Sequence, residues 1–333
     1  MFYITGFIIS AVIIFFAGKK LSFYGDLLAD KTGMSKGWIG LILMASVTSL
    51  PELMVGISSS AIVQSADLAT GDILGSCAFN LGILAMLDAF IPKRQPLFGI
   101  ASPRHMLITA LSIILLCFVA LALFLPNDYV VIPWIGLTSI LFIVFYFVAI
   151  RLVYMNEQQL QVQEESDIIK EEGKAISLRT IVYHYAGYAF VIVIAALGLP
   201  FFADGIAALT GLGKSFVGTF FLAVSTSLPE VAVSIAAVRM GAVDLAVGNL
   251  LGSNIFNVLI LAIDDLFYTK GLLLKDASEF HIISVISTIM MSAVVIIGLS
   301  YHAKGKRFFL AWDAALIFLI YLINLAFVYH FTS

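Results

Sequence analysis

Apolar runs of about twenty residues, divided by short polar breaks, recur along nearly the whole chain. Each is long enough to cross a hydrocarbon core of about 30 Å as a helix. Ten such segments are predicted, near 3–27, 37–61, 66–91, 104–125, 128–154, 178–208, 213–238, 243–266, 279–300 and 307–331. The one long polar stretch, about Tyr154 to Leu178, carries Glu157, Glu164, Glu165, Glu171 and Glu172 and reads as a solvated linker with a helical tendency. The first run, Phe2 to Ala17, has neither a positive leader nor a small-residue cleavage site, and Lys19 and Lys20 follow it. It is expected to be a retained first span rather than a secretory signal. The pattern predicts an all-α integral membrane protein of ten transmembrane helices.

Composition narrows the class further. Apolar residues make up 61% of the 333 residues and charged residues 12%, with a mean hydropathy of +1.07; soluble domains run about half apolar and a quarter charged. The net charge of −3 points to no partner, and no basic patch suggests nucleic acid. Cys77 and Cys117 both fall in apolar spans, so no structural disulfide is expected. Placing the first residue outside puts fifteen Lys and Arg on the cytoplasmic side and only Lys214, Lys270 and Lys275 on the outer side. Positive residues favour the cytoplasmic face, so both termini are expected outside.

The two halves repeat one another. Ala45–Glu52 reads ASVTSLPE and Ala223–Glu230 reads AVSTSLPE; Asp67–Asn80 reads DLATGDILGSCAFN and Asp244–Asn257 reads DLAVGNLLGSNIFN. Gly33, Lys36 and Gly40 match Gly211, Lys214 and Gly218 at the offset of 178 that relates the two TSLPE units. The expected organisation is a first five-helix repeat over 1–153, a cytoplasmic linker over 154–177 and a second five-helix repeat over 178–333. Five is odd, so the second repeat must enter the membrane upside down. Inverted repeats set a binding site near the midplane.

The repeated segments carry the chemistry. A carboxylate at membrane depth costs about 2.5–3.5 kcal/mol on insertion scales, and Glu52 and Glu230 are both there. Pro51 and Pro229 lack an N–H and clash with the preceding turn, so each helix should kink and free carbonyls near Ala45–Val47 and Ala223–Ser225. Thr48, Ser49, Thr226 and Ser227 add hydroxyls to an all-oxygen environment that suits hard cations such as Ca²⁺ and Na⁺. Back-bonding within the helix is the competing account of a lone Ser or Thr, but it does not explain a glutamate beside each kink. Asp72, Ser76 and Asn80, and Asn249, Ser253 and Asn257, run at i, i+4, i+8 along one helix face. Interhelical hydrogen bonding is the alternative to ligation for the Ser and Asn members. Gly71, Gly75, Gly248 and Gly252 are expected to serve close helix packing.

At these residues the chain resembles the cation/Ca²⁺ exchanger superfamily, and within it the prokaryotic sodium/calcium exchangers. The resemblance spans both motif pairs and the ten-span plan. It implies a central site, formed by the second, third, seventh and eighth spans, that holds one Ca²⁺ or several Na⁺. Long first and sixth helices would slide across this core. By the same resemblance, Glu52, Glu230, Thr48 and Thr226 would hold Ca²⁺. Ser49, Ser76, Ser227, Ser253, the carbonyls of Ala45 and Ala223, and Asn80 and Asn257 would serve Na⁺. The chain departs from the family pattern at Asn257, where Asp is frequent, at Cys77, where Asn is usual, and at Asp72, where Asn is expected. Asp72 lies about 12 Å along the axis from Asn80, so an entrance or structural role is expected for it, without direct ligation.

The expected function is sodium/calcium antiport in the cell membrane, with no cofactor, no enzymatic activity and no protein partner; the lipid bilayer is its surroundings. Two ionised glutamates balance one Ca²⁺. A calcium/proton antiporter, with Glu52 and Glu230 exchanging protons for Ca²⁺, is the nearest alternative. A channel fits a duplicated broken helix less well than alternating access does, and no His or Cys nucleophile accompanies the carboxylates as a hydrolase would require.

Overall fold

The structure, a computed structural model, describes residues 1–32, 45–91, 95–124, 130–132, 134–161, 177–301, 303, 305–306 and 309–332. Among the described residues the chain is helical, apart from one small hairpin and the connecting turns. Helix α1 spans Phe2–Thr32, and α2 spans Leu50–Ser58 and continues as a π-helical turn over Ser59–Val63. Then come α3 (Ala66–Leu87), α4 (His105–Phe124), α5 (Leu137–Gln161) and α6 (Leu178–Thr210). The second half continues with α7 (Lys214–Thr226), α8 (Leu228–Arg239), α9 (Val243–Phe267), α10 (His281–Ser300) and α11 (Trp312–Thr332).

Among the described residues eight helices are long and apolar enough to cross a membrane, and nine if α7 and α8, bent by 46° at their junction, count as one span. The front of the expected 37–61 span, with Gly33, Lys36 and Gly40, lies outside the described residues, as does most of the linker; α2 is the apolar helix that remains of that span. The fifth span starts later than its apolar run suggests. Val130–Ile132 pairs antiparallel with Ile135–Gly136, and α5 begins only at Leu137. A β-branched run followed by Pro133 favours extended backbone over helix. At its other end α5 continues to Gln161, inside the stretch read as linker.

Helices α3 and α9 are buried along most of their length, whereas α1, α5 and α11 present many large apolar side chains outward, as lipid-facing helices do. Helix α3 packs against α7 through glycine: a Cβ at Gly71 would lie 3.1 Å from Gly218 Cα, and one at Gly75 would lie 2.7 Å from Thr219 Cα. The packing expected of these two glycines is what the structure has. The long helices α1 and α6 lie side by side, with Tyr3 over Gly205 and Phe202 over Gly6.

The ends of the two central helices are fixed by carboxylates at equivalent positions. Asp67 Oδ1 accepts from Ser278 N (2.7 Å) and lies 3.0 Å from His281 Nε2; Asp244 Oδ1 accepts from Ser102 N (2.7 Å) and lies 2.9 Å from His105 Nε2. At the far ends, Asp88 accepts from Leu97 N and Ala311 N, and Asp265 from Leu273 N and Gly136 N. The remaining partners of this second pair differ. Lys306 Nζ pairs with Asp88 at 3.1 Å, whereas Ser139 donates to Asp265 at 2.5 Å. Four fixed ends hold α3 and α9 in register, which sets the height of every polar residue between them.

Candidate functional site

The site is built where two helices break. Ser49 (φ −84°, ψ 14°) and Ser227 (φ −82°, ψ 9°) leave the helical conformation just before Pro51 and Pro229. Proline removes the donor that would satisfy the carbonyl four residues back, which is that of Val47 in one half and of Ser225 in the other. Ala45 and Ala223 were expected to have free carbonyls, and this is corrected. Ala45 O accepts from Ser49 N (3.0 Å) and Thr48 Oγ1 (3.1 Å), and Ala223 O from Ser227 N (3.1 Å) and Thr226 Oγ1 (3.3 Å). Each lies two residues before the carbonyl that proline orphans.

The break aims each serine at the glutamate of the other half. Ser227 Oγ donates to Glu52 Oε1 at 2.8 Å, and Ser49 Oγ donates to Glu230 Oε1 at 3.1 Å. Serines from the central helices join them: Ser227 Oγ to Ser76 Oγ is 3.1 Å, Ser76 Oγ to Thr226 Oγ1 is 3.4 Å, and Ser253 Oγ to Glu230 Oε1 is 3.4 Å. The threonines also cross over, Thr226 Oγ1 reaching Asp72 Oδ1 (3.0 Å) and Thr48 Oγ1 reaching Asn249 Oδ1 (3.4 Å). Asp72 therefore touches a residue of the constellation directly, closer than its axial distance from Asn80 suggested, because its neighbour is supplied by the opposite half.

All twelve residues expected from the sequence are buried, and the polar ones converge on the crossing of α3 and α9 with the two breaks. Among the described residues no hydrogen bond reaches Glu52 Oε2, Glu230 Oε2, Asn80 Oδ1 or either amide atom of Asn257. Buried polar atoms without partners are costly, and these are oxygens and amides gathered in one place. No group of three or more His, Cys, Asp or Glu residues is arranged to hold a metal among the described residues. Coordination at this point would thus draw on hydroxyl, amide and carbonyl oxygens beside two carboxylates. Hard cations accept such a set.

Asn254 was missed in the sequence. Its side chain donates to Cys77 O (3.1 Å) and accepts from Asn80 Nδ2 (3.0 Å), so it locks the centres of α3 and α9 together. Its place in the GSN motif was the available signal. Cys77, at the equivalent position in α3, is a buried free thiol, and Cys117 is also free.

A family model described as "Sodium/calcium exchanger protein" matches residues 2–155 and 180–330. Among curated proteins, the inner membrane protein YrbG of Escherichia coli is 25% identical over 298 residues, covering 85% of this chain and 86% of that protein. The sodium/calcium exchanger MaX1 of Methanosarcina acetivorans is 25% identical over 336 residues, covering 91% of each. Among solved structures, the H⁺/Ca²⁺ exchanger CAX superposes with a TM-score of 0.72 at 16% identity, covering 99% of this chain and 86% of that one.

Proposed function

Because this chain belongs to the sodium/calcium exchanger family, we propose that it is a sodium-driven calcium antiporter whose ions bind in turn at the crossing of α3 and α9. The chain is a membrane antiporter of the Ca²⁺/Na⁺ exchanger family; the coupling ion and the ligands are the proposal. The observation that carries it is the crossed pair Ser227–Glu52 and Ser49–Glu230. Each carboxylate is oriented by a hydroxyl of the opposite half, so neither half has a complete site alone. Glu52 and Glu230 together balance the charge of one Ca²⁺. Thr48 and Thr226 complete its oxygens, and Ser49, Ser76, Ser227, Ser253, Asn80 and Asn257 serve Na⁺. Because Na⁺ and Ca²⁺ use the same oxygens, occupancy by one excludes the other, and this exclusion makes transport an exchange.

The architecture we propose is ten spans in two inverted five-helix repeats, over 1–153 and 178–333, joined by a cytoplasmic linker over 154–177. Matching carboxylate staples on α3 and α9 support it, as does the motif repeat. In the cell membrane, with the positive residues inside, both termini lie outside. Alternating access would come from α1 and α6 moving together across the core, with Gly18 against the Pro229 ring as one point of sliding contact.

A second reading, calcium/proton antiport, draws on the likeness to the H⁺/Ca²⁺ exchanger fold and on carboxylates that could carry protons in place of Na⁺. Ca²⁺ uptake into proteoliposomes separates the two. Uptake driven by an outward Na⁺ gradient, and indifferent to an outward proton gradient, supports sodium coupling; the reverse result replaces it with proton coupling.

A further inference from the structure

The antiport reading does not use Asp264, near the end of α9. Its side chain is fully buried, and neither oxygen accepts a hydrogen bond from a described residue. The carboxylate is aimed at Gly56 of α2, so closely that a Cβ there would overlap both oxygens. Gly56 follows Glu52 by one helical turn, so Asp264 sits about 6 Å further along the same face at ~1.5 Å per residue. The next turn of that face carries Ser59 and Ser60, whose hydroxyls are also buried and without partners. They open the π-helical turn that leads to Gln64, whose carbonyl accepts from Lys270 Nζ at 3.4 Å. A line of unsatisfied oxygens therefore runs from Glu52 to the Gln64–Lys270 end of the molecule.

Charge makes this line one-sided. Burial is the largest cost to a charge on Asp264, and the carboxylates of Asp72 and Asp265 add like-charge repulsion to it, as Glu230 and Asp72 do at Glu52. Asp265 is already satisfied by Ser139 and two backbone N–H groups. At the equivalent positions of the other half stand neutral residues: Asn249 for Asp72, Leu87 for Asp264 and Ser234 for Gly56. Glu52 and Glu230 balance one divalent cation; Asp72 and Asp264 are two further buried carboxylates, which when ionised balance a second.

We propose that Asp264, with the Ser59 and Ser60 hydroxyls and the charge of Asp72, forms a second site for a hard divalent cation, lying between the midplane oxygens and the Gln64–Lys270 face. The site loads the central one from that face and has no counterpart on the other. It rests on the antiport reading only for what lies at the midplane.

Equilibrium dialysis of the purified full chain with ⁴⁵Ca²⁺ in sodium-free detergent tests it. The wild type should bind two Ca²⁺ per chain, and Asp264→Asn and Glu52→Gln should each bind one, losing different ions. Gly56→Ala, which displaces the carboxylate without changing charge, should match Asp264→Asn. A single Ca²⁺ per wild-type chain, or two in Asp264→Asn, overturns the second site. That wild-type stoichiometry decides the matter even where a variant fails to fold. Loss in Asp264→Asn with none in Glu52→Gln supports the second site while removing Glu52 from the midplane reading.

Discussion

Ser227 Oγ donates to Glu52 Oε1 across 2.8 Å, although 175 positions separate them in the chain. The same hydroxyl lies 3.1 Å from Ser76 Oγ, so it ties a broken helix, a carboxylate and a central helix at one point. A hydrogen bond to a charged group contributes about 1.5–3 kcal/mol, and about 1.4 kcal/mol is tenfold in an equilibrium constant. Ser227→Ala is therefore expected to raise the Na⁺ concentration needed for half-maximal exchange by about tenfold or more. Ser49→Ala should do the same through Glu230. Na⁺ titration of Ca²⁺ flux checks this; unchanged Na⁺ dependence in both variants would take the serines out of the sodium path.

Glu52→Gln and Glu230→Gln should each abolish Ca²⁺ transport while the protein elutes as a single folded species. Each variant removes half of the charge that compensates Ca²⁺ while keeping an oxygen for the serine to bond. Uptake near the wild-type rate in either variant would place the binding chemistry elsewhere.

How much of this was readable beforehand depends on the range of each interaction. The helix breaks at Ser49 and Ser227 were legible because proline acts on its own turn. The crossing of serine to the opposite glutamate was not, because no local rule pairs residues so far apart. Asn80 and Asn257 were found from their stripe, whereas Asn254 faces the other helix and escaped it. Asp264 was hidden for a different reason. It sits in the polar tail of a span beside Asp265, and its partner Gly56 has no side chain to mark the space. The late start of α5 was obscured because Val130, Val131 and Ile132 are as apolar as a helix would be. Their hairpin depends on a partner strand that hydropathy does not reveal.

Topology has a direct check. Lys270 reaches Gln64, and Arg239 lies over the Phe90 ring at 5.8 Å, so the two loop groups sit at separate ends. In a Cys117→Ala background, cysteines at Gln64 and Lys270 should react with an impermeant maleimide from outside. Those at Gln95 and Met240 should react only after access from the cytoplasm. One reversal among the four would break the alternation on which the inverted repeat depends.

The last prediction concerns Asp88 and Lys306, both fully buried and 3.1 Å apart. Lys306 also reaches the carbonyls of Asp88 and Ile91, so one side chain closes the end of α3. Removing one member of a buried pair leaves an uncompensated charge and costs about 3–5 kcal/mol, whereas removing both costs far less. Lys306→Met is therefore expected to lower the thermal midpoint sharply. Asp88→Asn combined with Lys306→Met should recover much of the loss, since the amide still accepts from Leu97 N or Ala311 N. The equivalent carboxylate, Asp265, is held by Ser139 instead of a lysine. Ser139→Ala removes a hydroxyl and strands no cation, so it should cost about 1–3 kcal/mol. Thermal unfolding of the three variants in detergent provides the comparison. If Lys306→Met proves no worse than Ser139→Ala, the lysine contributes no more than a hydroxyl, and the two ends of the core are energetically alike.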